Sequence, residues 1–248
     1  MATATQSIRQ IVTAEPSAAA VLERFEIDLC SQADAQLEHA CATLQLSVDQ
    51  VLEKLADAEA RTRGAVAPEV EKYSLTRLIQ HIVRTHHQTV RQELPRFAEL
   101  SQRIAAKHGE TAPQFLTVAI LIERLRAEMF AHLEKEERML FPYIAQLEEA
   151  ARDRSSAPHA CFRSVAQPVS VMVQEHDSAE GIVAQIRQAT NGFTAPEWAC
   201  PRNIAFHASL AGFEADLRQH VHLENDVLFP RAIALESDLR WGEPRRGI

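Results

Sequence analysis

Between residues 72 and 235 the chain carries four apolar stripes whose members recur every three or four positions, the spacing of one helix face. The first reads Ile79, Val83, His87, Val90, Leu94. The second reads Val118, Leu121, Leu125, Glu128, His132, Glu136, Met139. The third reads Val169, Met172, His176, Ala179, Val183, Ile186, and the fourth Phe206, Leu210, Phe213, Leu217, His220, Glu224, Val227. The stripes predict helices over about 72–107, 113–151, 168–190 and 199–235, with a polar loop at 153–167 around Pro158. Histidine or glutamate interrupts every stripe midway, where a core helix would place an aliphatic residue.

The first sixty residues read as a separate small helical unit. Apolar clusters at 8–12 and 18–25 precede Ser47-Val-Asp-Gln50, which has the form of a capping box and predicts a short helix through Leu55. The charged, then Gly- and Pro-containing stretch 57–68 predicts a linker. The expected organisation is therefore an accessory domain over 1–60 and a four-helix bundle over 70–238.

Composition narrows this further. The chain of 248 residues is 46% hydrophobic, enough for a sizeable core, and its 7 glycines are too few for the turns of a β-sandwich or barrel. An all-α fold follows. A formal net charge of −8 without a Lys/Arg cluster argues against nucleic acid as a partner. No apolar run of signal-peptide or membrane-spanning length is present, which points to a cytoplasmic protein with no membrane partner. Cys30, Cys41, Cys161 and Cys200 form no C-x-x-C pair and are expected as reduced thiols.

An internal repeat gives the histidines their meaning. His132-Leu-Glu-Lys-Glu136-Glu-Arg-Met-Leu-Phe-Pro142 recurs as His220-Val-His-Leu-Glu224-Asn-Asp-Val-Leu-Phe-Pro230. Positions i and i+4 share a helix face, so each copy presents an imidazole and a carboxylate to one point. With His87 and His176 added, two related helix pairs each supply two histidines and one glutamate. Two facing glutamates can bridge a pair of ions roughly 3.5–4 Å apart, with imidazoles at terminal positions. Two carboxylates leave two divalent ions short of charge, which an oxo or hydroxo bridge would balance.

A single His-x-x-x-Glu pair on a helix is ordinarily a surface ion pair. Six such groups converging on apolar stripes would instead cost several kcal/mol each if left unpaired. The candidate metal ligands are therefore His87, His132, Glu136, His176, His220 and Glu224. Glu128 and Glu175 are candidates for a supporting role or an access channel. His39, His81, His108, His159, His207 and His222 read as solvated or core-satisfied, whereas His86 could exchange with His87 by a small helix rotation. The charge run 134–138 reads as a solvated face with Glu136 alone turned inward. No glutamate is followed by histidine three positions on, which removes the Glu-x-x-His pattern of ferritin-like oxidases.

These motifs resemble the hemerythrin-like di-iron proteins for repair of iron centres, the iron-sulfur cluster repair proteins of the ScdA/YtfE type. Leu78-Ile-Gln-His-Ile-Val-Arg-Thr-His-His87 through Gln92-Glu-Leu-Pro95 is similar to the family's first bundle helix. The two His-x-x-x-Glu copies are similar to the second and fourth, and Pro168-Val-Ser-Val-Met-Val-Gln-Glu-His176-Asp to the third. Phe25-Glu-Ile-Asp28-Leu-Cys30 and Leu37-Glu-His-Ala-Cys-Ala resemble its short accessory domain. Where the family commonly carries Cys-Cys-Gly-Gly, this chain has Cys30-Ser31-Gln32-Ala33, so a role needing vicinal thiols is not implied.

The resemblance implies a hemerythrin-like bundle holding two non-haem iron ions. It implies His87, His132, His176 and His220 as terminal ligands and Glu136 and Glu224 as bridges. It further implies repair of iron-sulfur clusters damaged by nitrosative or oxidative stress, through iron donation or nitric oxide handling, in a monomer or homodimer. The alternative is a protein that binds nitric oxide or dioxygen, or reduces nitric oxide. The partners implied are damaged iron-sulfur proteins, with nitric oxide or dioxygen as small ligand.

Overall fold

The computed structural model describes residues 2–63 and 69–241. Among them the chain is helical, with no strand beyond one isolated bridge between Ser7 and Gln36. Two compact units divide the described residues. One lies within Met1–Ala67, Arg103–Phe115 and Arg187–Gly212, the other within Pro68–Gln102, Leu116–Ile186 and Phe213–Ile248.

The first unit contains α1 (Ile8–Ala14), α2 (Ala18–Arg24), α3 (Leu37–Thr43) and α4 (Val48–Arg63). Ser7 opens α1 with a complete capping box: its hydroxyl accepts the Gln10 N–H while Gln10 accepts the Ser7 N–H. Ser47 accepts the Gln50 N–H at a longer 3.5 Å. The predicted helix from Ser47 exists but runs beyond Leu55 to Arg63, so the expected linker is helical over its first part; residues 64–68 of it lie outside the described residues. Ile8, Leu22, Leu29, Leu37 and Val51 are fully buried together, with Ala205 in the same core.

The bundle is built from α5 (Leu75–Ile82) and α6 (Gln88–His108), α7 (Gln114–Lys135) and α8 (Phe141–Asp153), α9 (Ala166–Ala189), and α10 (Pro201–His222) and α11 (Phe229–Trp241). Three of these junctions are not breaks but single widened, π-helical turns: Val83–His87, Glu136–Leu140 and Leu223–Leu228. Pro142 and Pro230 follow two of them closely. Proline lacks the N–H for an i−4 bond and crowds that carbonyl, and a wider turn relieves both faults. The turn at Val83–His87 has no such proline, and we have no sequence account of it.

Each widened turn inserts one extra residue into the helical phase, and the apolar stripes move accordingly. On the first rod the buried residues before the turn are Leu75, Leu78 and Ile82, whereas the predicted Ile79 and Val83 are half-buried. On the second, Leu140 at the end of the turn is buried and the predicted Met139 is 50% exposed. On the fourth, Leu228 is buried and the predicted Val227 only partly so. The third rod, α9, has no widened turn, and all six predicted stripe residues are buried.

Two polar anchors fix the rods at one end. The Glu148 carboxylate, from α8, accepts the Leu75 and Thr76 N–H groups at 2.7 and 3.0 Å, satisfying donors that the start of α5 would otherwise leave bare. Buried Glu236 of α11 accepts the hydroxyls of Tyr143 and Ser164, both at 2.6 Å, and the Val165 N–H at 2.9 Å, and pairs with Arg240.

Candidate metal centre

The structure brings together all six residues predicted as ligands. His87, Glu136, His176, His220 and Glu224 are fully buried, and His132 is 1% exposed. They form two groups, His87–Glu136–His220–Glu224 and His132–Glu136–His176–Glu224, each with its donor atoms within 4.8 Å of one another. The groups share their carboxylates. Glu224 directs Oε1 toward His220 (2.9 Å) and His87 (3.6 Å) and Oε2 toward His176 (3.0 Å). Glu136 Oε2 lies 3.4 Å from His87 Nε2 and 3.3 Å from His132 Nε2. Each glutamate stands between two histidine pairs.

The widened turns place these side chains. His87 closes the first, Glu136 opens the second, and Glu224 sits in the third. A turn with i+5 bonding carries its side chains at a different angle from the flanking helix, and such turns cluster at functional sites.

Tautomers are set from outside. His87 Nδ1 bonds Glu137 at 2.6 Å, His132 Nδ1 bonds Glu175 at 2.9 Å, and His176 Nδ1 bonds Asn225 Oδ1 at 3.0 Å. Each partner is an oxygen acceptor, so Nδ1 carries the proton and Nε2 turns a lone pair inward. Glu137 is itself gripped by Arg91 (2.7 Å), and Glu175 by Lys135. Glu175 fills the supporting role expected of it. Glu137 and Asn225 were not singled out in the sequence, yet each directly follows its copy's glutamate, so the repeat carried the signal. The expectation that only Glu136 of 134–138 turns inward is thus corrected: Glu137 is half-buried and engaged. Glu128 bonds Arg124 and Ser178 and touches none of the six.

A cation fits this arrangement better than the protein groups fit each other. Nε2 of His87, both oxygens of Glu136 and Oε2 of Glu224 are buried without a hydrogen-bond partner among the described residues. The Nε2 atoms of His132 and His176, both lone-pair bearing, face each other at 3.0 Å. Without a cation, protons must do its work. Burial opposes charging of His87, but Glu136 and Glu224 outweigh it and raise its pKa to about 10. At His132 burial is likewise outweighed, chiefly by Glu136, and the pKa rises to about 9. Against burial, His176 is also raised, by Glu224, and the histidines hold both glutamates below their usual range.

His86 is buried beside this set. Its Nδ1 bonds Asp216 at 2.9 Å, and its ring lies parallel to that of His220, 5.7 Å between centroids. By the repeat His86 occupies the place of Glu175, one residue before its rod's histidine. His207, also buried, bonds the Asn203 carbonyl through Nδ1, while its Nε2 is buried without a hydrogen-bond partner among the described residues, so it is only half satisfied.

An open cleft of about 390 Å³ reaches His132 and is lined by Glu128, Lys135, Gln174, Glu175 and Ser178. It leads from one edge of the site to the surface.

Comparison with known proteins bears on what such a centre is. Residues 78–232 match the model of the hemerythrin HHE cation binding domain, spanning all six candidate ligands. The chain belongs to the hemerythrin HHE family. In front of this hemerythrin domain, residues 4–59 match ScdA_N, a domain of unknown function. The chain is 30% identical to the Escherichia coli iron-sulfur cluster repair protein YtfE, over 95% of its length and 100% of the relative. It is 30% identical to the protein of that name from Pectobacterium atrosepticum, over 94% and 99%. It is 28% identical to the probable iron-sulfur cluster repair protein of Haemophilus influenzae, again over 94% and 99%. Among the described residues no helix is long and apolar enough to cross a membrane.

Proposed function

We propose that the chain is an iron-sulfur cluster repair protein of the cytoplasm, with an accessory domain over 1–60 and a bundle over 70–238 that holds two iron ions. His87, His132, His176 and His220 are the terminal ligands in this reading, and Glu136 and Glu224 the bridges. The observation that carries it is the sharing of both buried carboxylates between two histidine pairs. One cation would need one such group; two groups with common glutamates suit a bridged pair.

Bound iron with open positions would supply redox chemistry and a place for a small ligand such as nitric oxide or dioxygen. The protein's own part is to position and to release. Glu137, Glu175 and Asn225 hold the imidazoles in the tautomer that binds metal. The cleft beside His132, where Glu128 and Glu175 stand among Met129, Ala131 and Val171, offers iron a way out toward a damaged iron-sulfur protein, and a small ligand a way in. Similarity over nearly the whole chain to proteins named for iron-sulfur cluster repair supports repair as the activity, by iron donation, nitric oxide handling or both.

The decisive experiment measures iron content and visible absorption of the wild type and of Glu136→Ala with Glu224→Ala. About two irons per chain with oxo-bridge absorption, both lost in the variant, is expected. The loaded wild type should then restore a nitric-oxide-damaged iron-sulfur enzyme while the variant does not. Protein isolated with zinc that the mutations leave untouched would overturn the reading.

A further inference from the structure

Two of the four cysteines, 170 positions apart in sequence, meet in the first compact unit. The Asp28 carboxylate accepts the Cys30 N–H at 2.9 Å and the Ser31 hydroxyl at 2.7 Å, folding this segment into a tight turn. Cys200 begins α10: its carbonyl accepts the N–H groups of Asn203 and Ile204 at 2.9 and 3.0 Å. The two segments are tied on both sides of the cysteines. Arg9 donates to the Ala199 carbonyl at 2.6 Å, and Arg202 donates to Glu23 at 2.9 Å. Ile204 and Ala205 pack into the core that contains Leu22 and Leu29. Between these ties Cys30 and Cys200 lie close enough for their side chains to act on one another. Both residues are partly exposed, whereas Cys41 is buried.

We propose that Cys30 and Cys200 are a reversible dithiol–disulfide pair, oxidised by low-molecular-weight disulfides. A through-space pair would do here what neighbouring residues in sequence cannot, since Ser31 follows Cys30. The exchange is written with Cys200 attacking first; burial and the neighbouring thiol push Cys30 up to about 11. The Cys200 thiolate attacks one sulfur of the small disulfide, forming a mixed disulfide and expelling one small thiol. Cys30 then loses its proton, with the Arg202 charge beside it favouring the thiolate. Its sulfur attacks that of Cys200 and expels the second small thiol. Two protein thiols are oxidised and one small disulfide is reduced to two thiols; excess small thiol reverses both steps. Intracellular disulfides are mostly transient and regulatory, and partial exposure with an adjacent resolving thiol is the arrangement such sites use.

The full chain is equilibrated in buffers of reduced and oxidised glutathione, quenched with an alkylating agent, and digested for mass spectrometry. The expected product is one intrachain Cys30–Cys200 cross-link, lost again in excess reduced glutathione, with Cys41 and Cys161 alkylated. Cys30→Ser should leave glutathione stranded on Cys200 and abolish the cross-link while helical circular dichroism is retained. Alkylation of both cysteines in the most oxidising buffer would overturn the proposal, as would cross-links only between chains. The wild-type map decides even where a variant fails to fold, and it is read without reference to iron.

Discussion

The imidazoles of His132 and His176 meet nitrogen to nitrogen, 3.0 Å apart, with the proton of each held on the far side by Glu175 and Asn225. Two lone pairs at that distance repel unless a cation or a proton comes between them. In the metal-free protein a proton must fill that gap, and a metal ion takes its place. Ferrous iron added to chelator-stripped protein should raise Tm; at a hundred times Kd the gain is about 2.7 kcal/mol, or roughly 5–10 °C for a chain of this size. Glu224→Gln should erase the rise. A stripped protein whose melting curve ignores iron would refute the fit.

Protons and metal compete for the same atoms, and this fixes a pH dependence. His87 and His132 have folded pKa values raised to about 10 and about 9 from an ordinary 6.5. Their charge–charge stabilisation is complete below about 6.5 and fades as pH rises through 9 to 10. The glutamates, with lowered pKa, lose theirs only in acid, below the ordinary 4.5. Stripped protein should thus lose stability between pH 7 and 10 while iron-loaded protein stays nearly level. Iron binding at pH 8 should release protons, measurable with an indicator dye in weak buffer.

His86 takes the position that Glu175 holds in the other half, yet it brings an imidazole rather than a carboxylate. Its Nε2 and the Nδ1 of His220 are both buried without a partner among the described residues. His86→Leu removes the ring packed parallel to His220 and should weaken iron retention by up to about 10-fold, the low end for losing a group around a ligand. Competition against a chromogenic chelator measures this. Glu137→Gln, on the second rod and bonded across to His87 Nδ1, should act in the same direction. Unchanged retention in both variants would mean that the ligand imidazoles hold their own orientation.

Glu236 makes a contrasting case. It binds three donors and Arg240 in the core and touches none of the six candidate ligands. Glu236→Ala strands the Tyr143 and Ser164 hydroxyls and the Val165 N–H, and should cost about 3 kcal/mol in urea unfolding. Iron per folded chain should not change.

The site was legible because it was written twice: one His-x-x-x-Glu is ambiguous, but two in matching contexts are not. Helix type and extent could be read from periodicity, and α9 matched residue for residue. What escaped was phase. Val83, Met139 and Val227 lie inside the widened turns and Ile79 lies across one from His87, so a constant 3.6-residue period put them one position off. Pro142 and Pro230 hinted at two of these turns; nothing in the sequence marks the third. Glu137 and Asn225 were hidden for the same reason, because an ordinary helix would have turned them to solvent. The Cys30–Cys200 contact was beyond reach, since no local pattern relates residues so distant.

The three widened turns also make the centre a matter of counting. Each adds one residue beyond what a plain helix would hold. Removing one, for instance by deleting Met139, would let the segment relax to a regular helix of lower backbone energy. It would also swing everything beyond it by about 100°, one residue's rotation. Such a deletion would preserve composition, charge and helix content, and would leave every ligand in the chain. The protein would be a sound bundle with the six buried residues out of step, so the candidate metal centre is kept by three single-residue insertions that substitution cannot reach.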